Sequence, residues 1–268
     1  MFLKFFLIIC AISICVACKE KAIRTLKEPV LGMEFVQVPS GTFKMGATDP
    51  SMNSDLINEI TISREFWLGK TEVTQKHWQT IMGKEELHPE KPSPFRNTNP
   101  NYPIVSISYF DVEKFLIRLN SLSENYQFRL PTETEWEYAC RSGTTTPFYF
   151  GSLIDSSLVN FNAEIPSNYS FIGTSPGHPV PVASYAPNAW GLFDMHGNVW
   201  EWVSDWYGTY PEKGNSNPLG PETGKEKVIR GGSWYFGADF ATSFSRRRHE
   251  PRLWGFSIGF RLVCEKKP

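Results

Sequence analysis

Cysteine is scarce beyond the first residues of this 268-residue chain. Of five cysteines, Cys10, Cys15 and Cys18 precede Lys19, leaving only Cys140 and Cys264 for everything that follows. Two distant thiols make neither a multi-bridge disulfide scaffold nor a CxxC redox pair. One-sided charge is also missing: 27 Lys and Arg stand against 28 Asp and Glu, a net charge of −1, with no basic stripe. Nucleic acid is therefore not an expected partner. The histidines His77, His88, His178, His196 and His249 include no pair at HExxH or HxH spacing, which removes the common sequence-local zinc sites. No GxxxxGK[ST] loop and no strand-linked GxGxxG occurs, so the usual phosphate cradles are absent as well. Gly231-Gly232-Ser233-Trp234 lacks the second glycine of a GxSxG nucleophile elbow. Long apolar runs are absent but for one, Phe5 to Ala17, broken only by Ser13. It is shorter than the roughly 20 residues of a spanning helix.

That run follows Lys4 and ends in Val16-Ala17-Cys18, the layout of a signal peptide with small residues before a cysteine. Residues 1–17 are read as a lipoprotein signal, with Cys18 as the lipidated residue of the mature chain. Residues 18–30 are polar and charged and read as a linker, and residues 31–265 as the folded domain. The expected location is the cell envelope, lipid-anchored and facing the periplasm or the cell surface.

Aromatic residues are abundant, 15% of the chain with 9 Trp, beside 20 Gly and 20 Pro. This composition predicts rings packed between many loops. Met33 to Val38 alternates apolar and polar, Pro39-Ser40-Gly41 turns, and Thr42 to Met45 resumes the alternation, which predicts a β-hairpin. Val73, His77, Trp78 and Ile81 have helical spacing, stopped by Gly83. Ser108 with Asp111, and Thr132 with Glu135, form capping boxes that open two more helices. Residues 142–186 are rich in Gly, Pro, Asn and Ser, and a loop that long is usually functional or ligand-stabilised. Late strands are expected at 228–230 and 258–263. The fold class is α+β, a single compact domain with little regular secondary structure.

One block concentrates oxygen ligands. Asp194 and Glu201 flank a glycine turn within Asp194-Met195-His196-Gly197-Asn198-Val199-Trp200-Glu201-Trp202, and carboxylates and carbonyls on one tight loop suit calcium. The same carboxylates serve equally as turn caps, with the tryptophans as core.

This block also carries a family resemblance. In order along the chain stand Gly32-Met33-Glu34-Phe35, Gly41-Thr42-Phe43-Lys44-Met45-Gly46, Lys70-Thr71-Glu72-Val73-Thr74 and Pro103-Ile104-Val105-Ser106. Arg129-Leu130-Pro131-Thr132-Glu133-Thr134-Glu135-Trp136 and Asn188-Ala189-Trp190-Gly191-Leu192-Phe193 follow, leading into the acidic block. Arg230-Gly231-Gly232-Ser233-Trp234 and Gly259-Phe260-Arg261 complete the set. Together they resemble the formylglycine-generating enzyme family, the sulfatase-modifying factor domain, over roughly Leu31 to Cys264.

The resemblance implies a C-type-lectin-like fold. It also implies oxidation of a sulfatase cysteine to formylglycine by molecular oxygen and copper(I), with copper held by two cysteines after the Gly-Gly-Ser-Trp motif. Copper(I) demands soft thiolates, yet Phe236 and Ala241 stand at those positions, and no cysteine lies between Cys140 and Cys264. Copper is accordingly not expected, and no catalytic residue is assigned. Trp200 and Ser233 match residues that line the family's pocket. The family's calcium site falls on Asp194, Gly197, Val199 and Glu201, so one calcium ion is expected. A second site would begin at Asn160 and Phe161, but no carboxylate stands near Thr174. The family's disulfides suggest pairing Cys140 with Cys264. The expected function is a membrane-tethered binding or assembly module for a protein, peptide or glycan. The alternatives are a formylglycine-generating oxidase, and a different chemistry using Asp205, His196 or the Arg246-Arg247-Arg248 run.

Overall fold

A computed structural model describes residues 23–46, 58–83, 93–95, 98–209 and 214–267. The signal run and Cys18 lie outside the described residues, and no helix among those residues is long and apolar enough to cross a membrane.

The chain closes on itself through one sheet. Strands β1 (Thr25–Lys27), β2 (Glu34–Val38), β5 (Phe66–Gly69), β11 (Val263–Lys266) and β6 (Tyr126–Arg129) lie side by side in that order. The last strand thus sits inside a sheet begun by the first. β1 falls within the polar segment expected as linker: Thr25 to Lys27 pair antiparallel with Val36 to Glu34, so the structured part starts ahead of residue 31. A second sheet runs β10 (Ile258–Phe260), β7 (Trp200–Trp206), β8 (Lys227–Arg230), β9 (Arg246–His249).

The expected hairpin has its strands but not its pairing. β3 (Gly41–Met45) pairs with β4 (Asn58–Ile62), while β2 pairs with β1 and β5. Helix α3 (Glu133–Arg141) explains the departure. Gly41 lies against the Tyr138 hydroxyl where a Cβ would collide, and Phe43 packs on the Tyr138 ring at 5.2 Å. β3 therefore leaves β2 to cover the helix.

The three helices start where their capping boxes place them. α1 (Gln75–Met82) is capped by Thr74 with His77, α2 (Tyr109–Leu122) by Ser108 with Asp111, and α3 by Thr132 with Glu135. Each box satisfies backbone donors that the first helical turn leaves free. α1 and α2 bury Trp78 and Phe115, stacked at 5.2 Å, against Phe260. Residues 142–186 hold only isolated bridges, such as Ile154 with Ser170. They are anchored by their own apolar cluster of Phe148, Ile154, Val159, Phe161 and Tyr169 against Ala238, Ala241 and Phe244. The architecture is α+β with loops ordered by aromatic packing.

Candidate functional site

The acidic block forms a turn that delivers β7 into the second sheet. Asp194, Gly197 and Asn198 all take positive φ, 55°, 75° and 55°. At Gly197 a side chain would run into the Asn160 carbonyl, so glycine is required there.

Glu201, on β7, is fully buried and held on both oxygens. Arg261 donates to Oε2 from Nε and to Oε1 from Nη2, each at 2.6 Å, and Trp136 Nε1 donates to Oε2 at 2.7 Å. Arg261 also donates to the carbonyls of Gly69 and Phe193. It stands where the run 258–263 divides, β10 entering one sheet and β11 the other. Asp194 Oδ2 accepts from the Ala183 amide at 2.7 Å. A third carboxylate, Glu72, joins them. Its Oε1 accepts from Asn198 Nδ2 at 3.0 Å, whereas its buried Oε2 has no hydrogen-bond partner. Glu72 is also an electrostatic neighbour of Asp194. Burial, then the charges of Asp194 and Glu201, push Glu72 well above the usual carboxylate range. Burial likewise raises Asp194.

This cluster buries three carboxylates around one guanidinium. When ionised, Glu72, Asp194 and Glu201 carry three negative charges against the single positive charge of Arg261. Two buried acceptors facing each other need a proton or a metal ion between them. Among the described residues no three His, Cys, Asp or Glu side chains converge on one point. Calcium would therefore draw on the carboxylates of Asp194 and Glu72 and on turn carbonyls. Glu201 is the poorest of the expected ligands, because Arg261 and Trp136 already use both of its oxygens. Glu72 was not singled out from the sequence as a site residue. The signal was a glutamate placed beside Val73, a position that faces the core. At the second family position, where no site is expected, Asn160 donates to the His178 carbonyl and to Asn198 Oδ1, Phe161 is core, and Thr174 is exposed.

Trp200 and Ser233 each adjoin Phe236, one of the two positions the resemblance assigns to copper-binding cysteines. Both are 1% exposed. The Trp200 ring meets Phe236 edge-on at 5.8 Å and Phe240 at 6.5 Å, and its Nε1 has no hydrogen-bond partner. Phe236 packs on the Trp200 cluster, while Ala241 is core beneath the long loop. A separate groove of about 910 Å³, lined in part by Trp67, Tyr109, Arg129 and Glu265, includes none of these residues.

The remaining candidates have structural duties. His196 Nδ1 donates to the Ala241 carbonyl at 2.7 Å while Nε2 accepts from the Tyr149 amide at 3.1 Å. Both ring nitrogens are thereby committed, and burial holds the ring neutral, pushed down to about 3. Asp205 accepts from the Glu133 amide at 2.8 Å and the Gly220 amide at 2.7 Å, tying the start of α3 to a loop. Arg246 pairs with Glu133 at 2.6 Å and Arg248 with Glu226 at 3.3 Å.

The expected disulfide is not formed: Cys140 and Cys264 are both free and buried. The reason is strand parity. On β11, Val263 faces the cluster that holds Cys140, whereas Cys264 faces the opposite cluster with Leu262. Cys140 Sγ lies 3.7 Å from Ser243 Oγ and 3.8 Å from the His196 ring nitrogens. Burial pushes both thiols up to about 12, so neither is a thiolate nucleophile or a soft metal ligand at neutral pH.

The model of the sulfatase-modifying factor enzyme 1-like domain matches residues 22–266. The chain belongs to the sulfatase-modifying factor enzyme family. A bovine formylglycine-generating enzyme (Bos taurus) is 28% identical over 204 residues, covering 71% of this chain and 51% of that protein. The chain thus spans about half the length of the first curated relatives it matches. A protein named chaperone protein LppX, from Paenibacillus barcinonensis, is 27% identical over 97% of this chain and 98% of its own length. Among solved structures, PvdO from Pseudomonas aeruginosa superposes with a TM-score of 0.74 at 26% identity, over 90% of this chain and 98% of that one. Family membership and the structural likeness confirm the α+β, C-type-lectin-like architecture expected from the sequence.

Proposed function

We propose that this protein is a non-catalytic member of the family, a binding or assembly module held at the cell envelope by a lipid on Cys18. One observation carries the reading: an aromatic ring and a methyl group, Phe236 and Ala241, occupy the positions where the family's two copper-binding cysteines belong. The only other thiols among the described residues are buried, protonated and in different clusters. Copper(I) favours soft thiolate ligands, and no thiolate pair stands among the described residues. The reading is supported by the LppX relative, which matches end to end and is named as a chaperone. A protein, peptide or glycan partner would then meet the surface around Trp200 and Ser233.

The same reading includes one calcium ion at the acidic turn, held by Asp194 and Glu72 with the carbonyls of Gly197 and Val199. Bound there, calcium would supply charge balance and rigidity to the turn that sets β7 in place. Glu201 and Arg261 would orient the turn from behind.

Titrating the reduced full chain with copper(I) against a chelating competitor tests the central part. The expected result is no stoichiometric copper retained by the protein. Tight binding of one copper per chain would restore the alternative reading, a formylglycine-generating oxidase.

A further inference from the structure

The folded domain begins almost at the expected anchor. The described structure starts at Ile23, five residues after Cys18. Even fully extended, that stretch of chain spans only about 18 Å. β1 follows at Thr25 and forms one edge of the five-stranded sheet. Its hydrogen bonding starts earlier still, because the Arg24 carbonyl accepts from the Gln37 amide at 3.0 Å. The sheet edge is therefore fixed before the chain has room to lift the domain away from an anchor at Cys18.

The surface at this edge has two parts. One is basic: Lys19, Lys21, Arg24 and Lys27 outnumber the acids Glu20 and Glu28. Glu28 is buried, with its two carboxylate oxygens taken by the amides of Val30 and Leu31, whereas Arg24 and Lys27 are exposed. The other part is apolar. Ile23 is 52% exposed and lies over Gly191, where a side chain would meet it at 3.3 Å. Residues 179–193, which lead through that contact, contain no charged side chain. Ala186, Pro187 and Ala189 are exposed there, and Trp190 is half-buried, its ring on Tyr138 at 4.9 Å.

We infer that this edge rests on the anionic headgroups of the membrane that holds Cys18, with Arg24 and Lys27 meeting lipid phosphates and Ile23, Ala189 and Trp190 meeting the interfacial layer. The inference rests on the lipid-anchored reading above and adds the face that the domain turns to the bilayer. An uncharged loop with a tryptophan, set beside a cluster of lysines and arginines, is the composition that an anionic lipid surface favours. Membrane cover would also shield the outer edge of β1, which no strand among the described residues pairs and which would otherwise be a template for another chain. The groove lined in part by Arg129 of β6 belongs to the opposite edge of the same sheet. Four strand spacings, about 19 Å, separate the two edges, so the groove stays open to solvent.

The test uses the full chain purified from envelope membranes, with its intact mass reporting whether Cys18 carries a lipid. The chain is reconstituted into vesicles of phosphatidylcholine alone, or of equal parts phosphatidylcholine and phosphatidylglycerol, and compared by hydrogen exchange. Peptides covering 23–27 and 185–193 should exchange more slowly on the anionic vesicles, and those covering 126–129 and 217–221 should not change. A basic residue at an anionic surface is worth about a fivefold preference. Arg24→Gln combined with Lys27→Gln should therefore lower the docked-to-undocked ratio about 25-fold and abolish the protection, with melting unchanged and the lipid still on Cys18. Equal exchange on the two vesicles, protection at 126–129 and 217–221 instead, or protection that survives the double substitution overturns the inference and leaves the anchored reading standing. A Cys18 without lipid overturns the anchored reading itself, and the inference with it.

Discussion

Removing Arg261 should cost far more than removing the charge it pairs with. The Arg261→Met variant leaves Glu72, Asp194 and Glu201 buried together with no cation, and strips donors from the carbonyls of Gly69 and Phe193. Breaking a buried, fully hydrogen-bonded ion pair in this way costs about 3–5 kcal/mol. In a domain of this size, each kcal/mol lowers Tm by about 2–4 °C, so a fall of roughly 6–20 °C is expected. Glu201→Gln is a different perturbation. Gln keeps an acceptor for Trp136, and Arg261 still faces the acidic Glu72–Asp194 pair. The loss should be about 1–3 kcal/mol, the cost of weakening charged hydrogen bonds without stranding a charge. Differential scanning calorimetry and urea titration of the two variants give the comparison. If Glu201→Gln is as damaging as Arg261→Met, the excess negative charge assigned to this cluster does not exist.

Three further outcomes follow from the same geometry. Chelating calcium should lower Tm, by about 2.7 kcal/mol of stability if the ion had been present at a hundredfold excess over its Kd; Asp194→Ala should melt identically with and without chelator. Native Cys140 and Cys264 should resist thiol reagents even at pH 9, since burial holds both pKa values near 12, and a non-reducing digest should show no peptide joining them. His77 accepts the Thr74 amide through Nδ1 and is held neutral by burial, its pKa pushed down to about 4. The unfolded chain takes up a proton below about pH 6.5 that the folded chain refuses. Stability should therefore fall by up to about 1.4 kcal/mol per pH unit between about 6.5 and 4, and His77→Gln, which retains a capping acceptor, should flatten that slope in urea titrations.

Local signals in the sequence were strong where one turn of chain decides the outcome. The capping boxes at Ser108 and Thr132 name their helix starts because donor and acceptor are three residues apart. Pairing choices depend on distant residues and were not legible. Gly41 turns away from β2 because Tyr138 waits on α3, and nothing near Pro39 records that. The site was half visible. Asp194 and Glu201 stand out on one loop, but Glu72 arrives from a remote segment, and Arg261 reclaims Glu201 from the opposite end of the chain. Parity explains the missing disulfide: Val263 takes the strand face toward Cys140, which leaves Cys264 on the opposite face.

The loss of the copper thiolates is the center of the account, and catalysis tests it most directly. The purified full chain, supplied with copper(I), oxygen and a peptide containing Cys-x-Pro-x-Arg, should yield no aldehyde by mass spectrometry above a protein-free control. Conversion of the peptide cysteine to formylglycine by the folded chain would contradict the account, because it would show oxidation proceeding with Phe236 and Ala241 in place of the two cysteines.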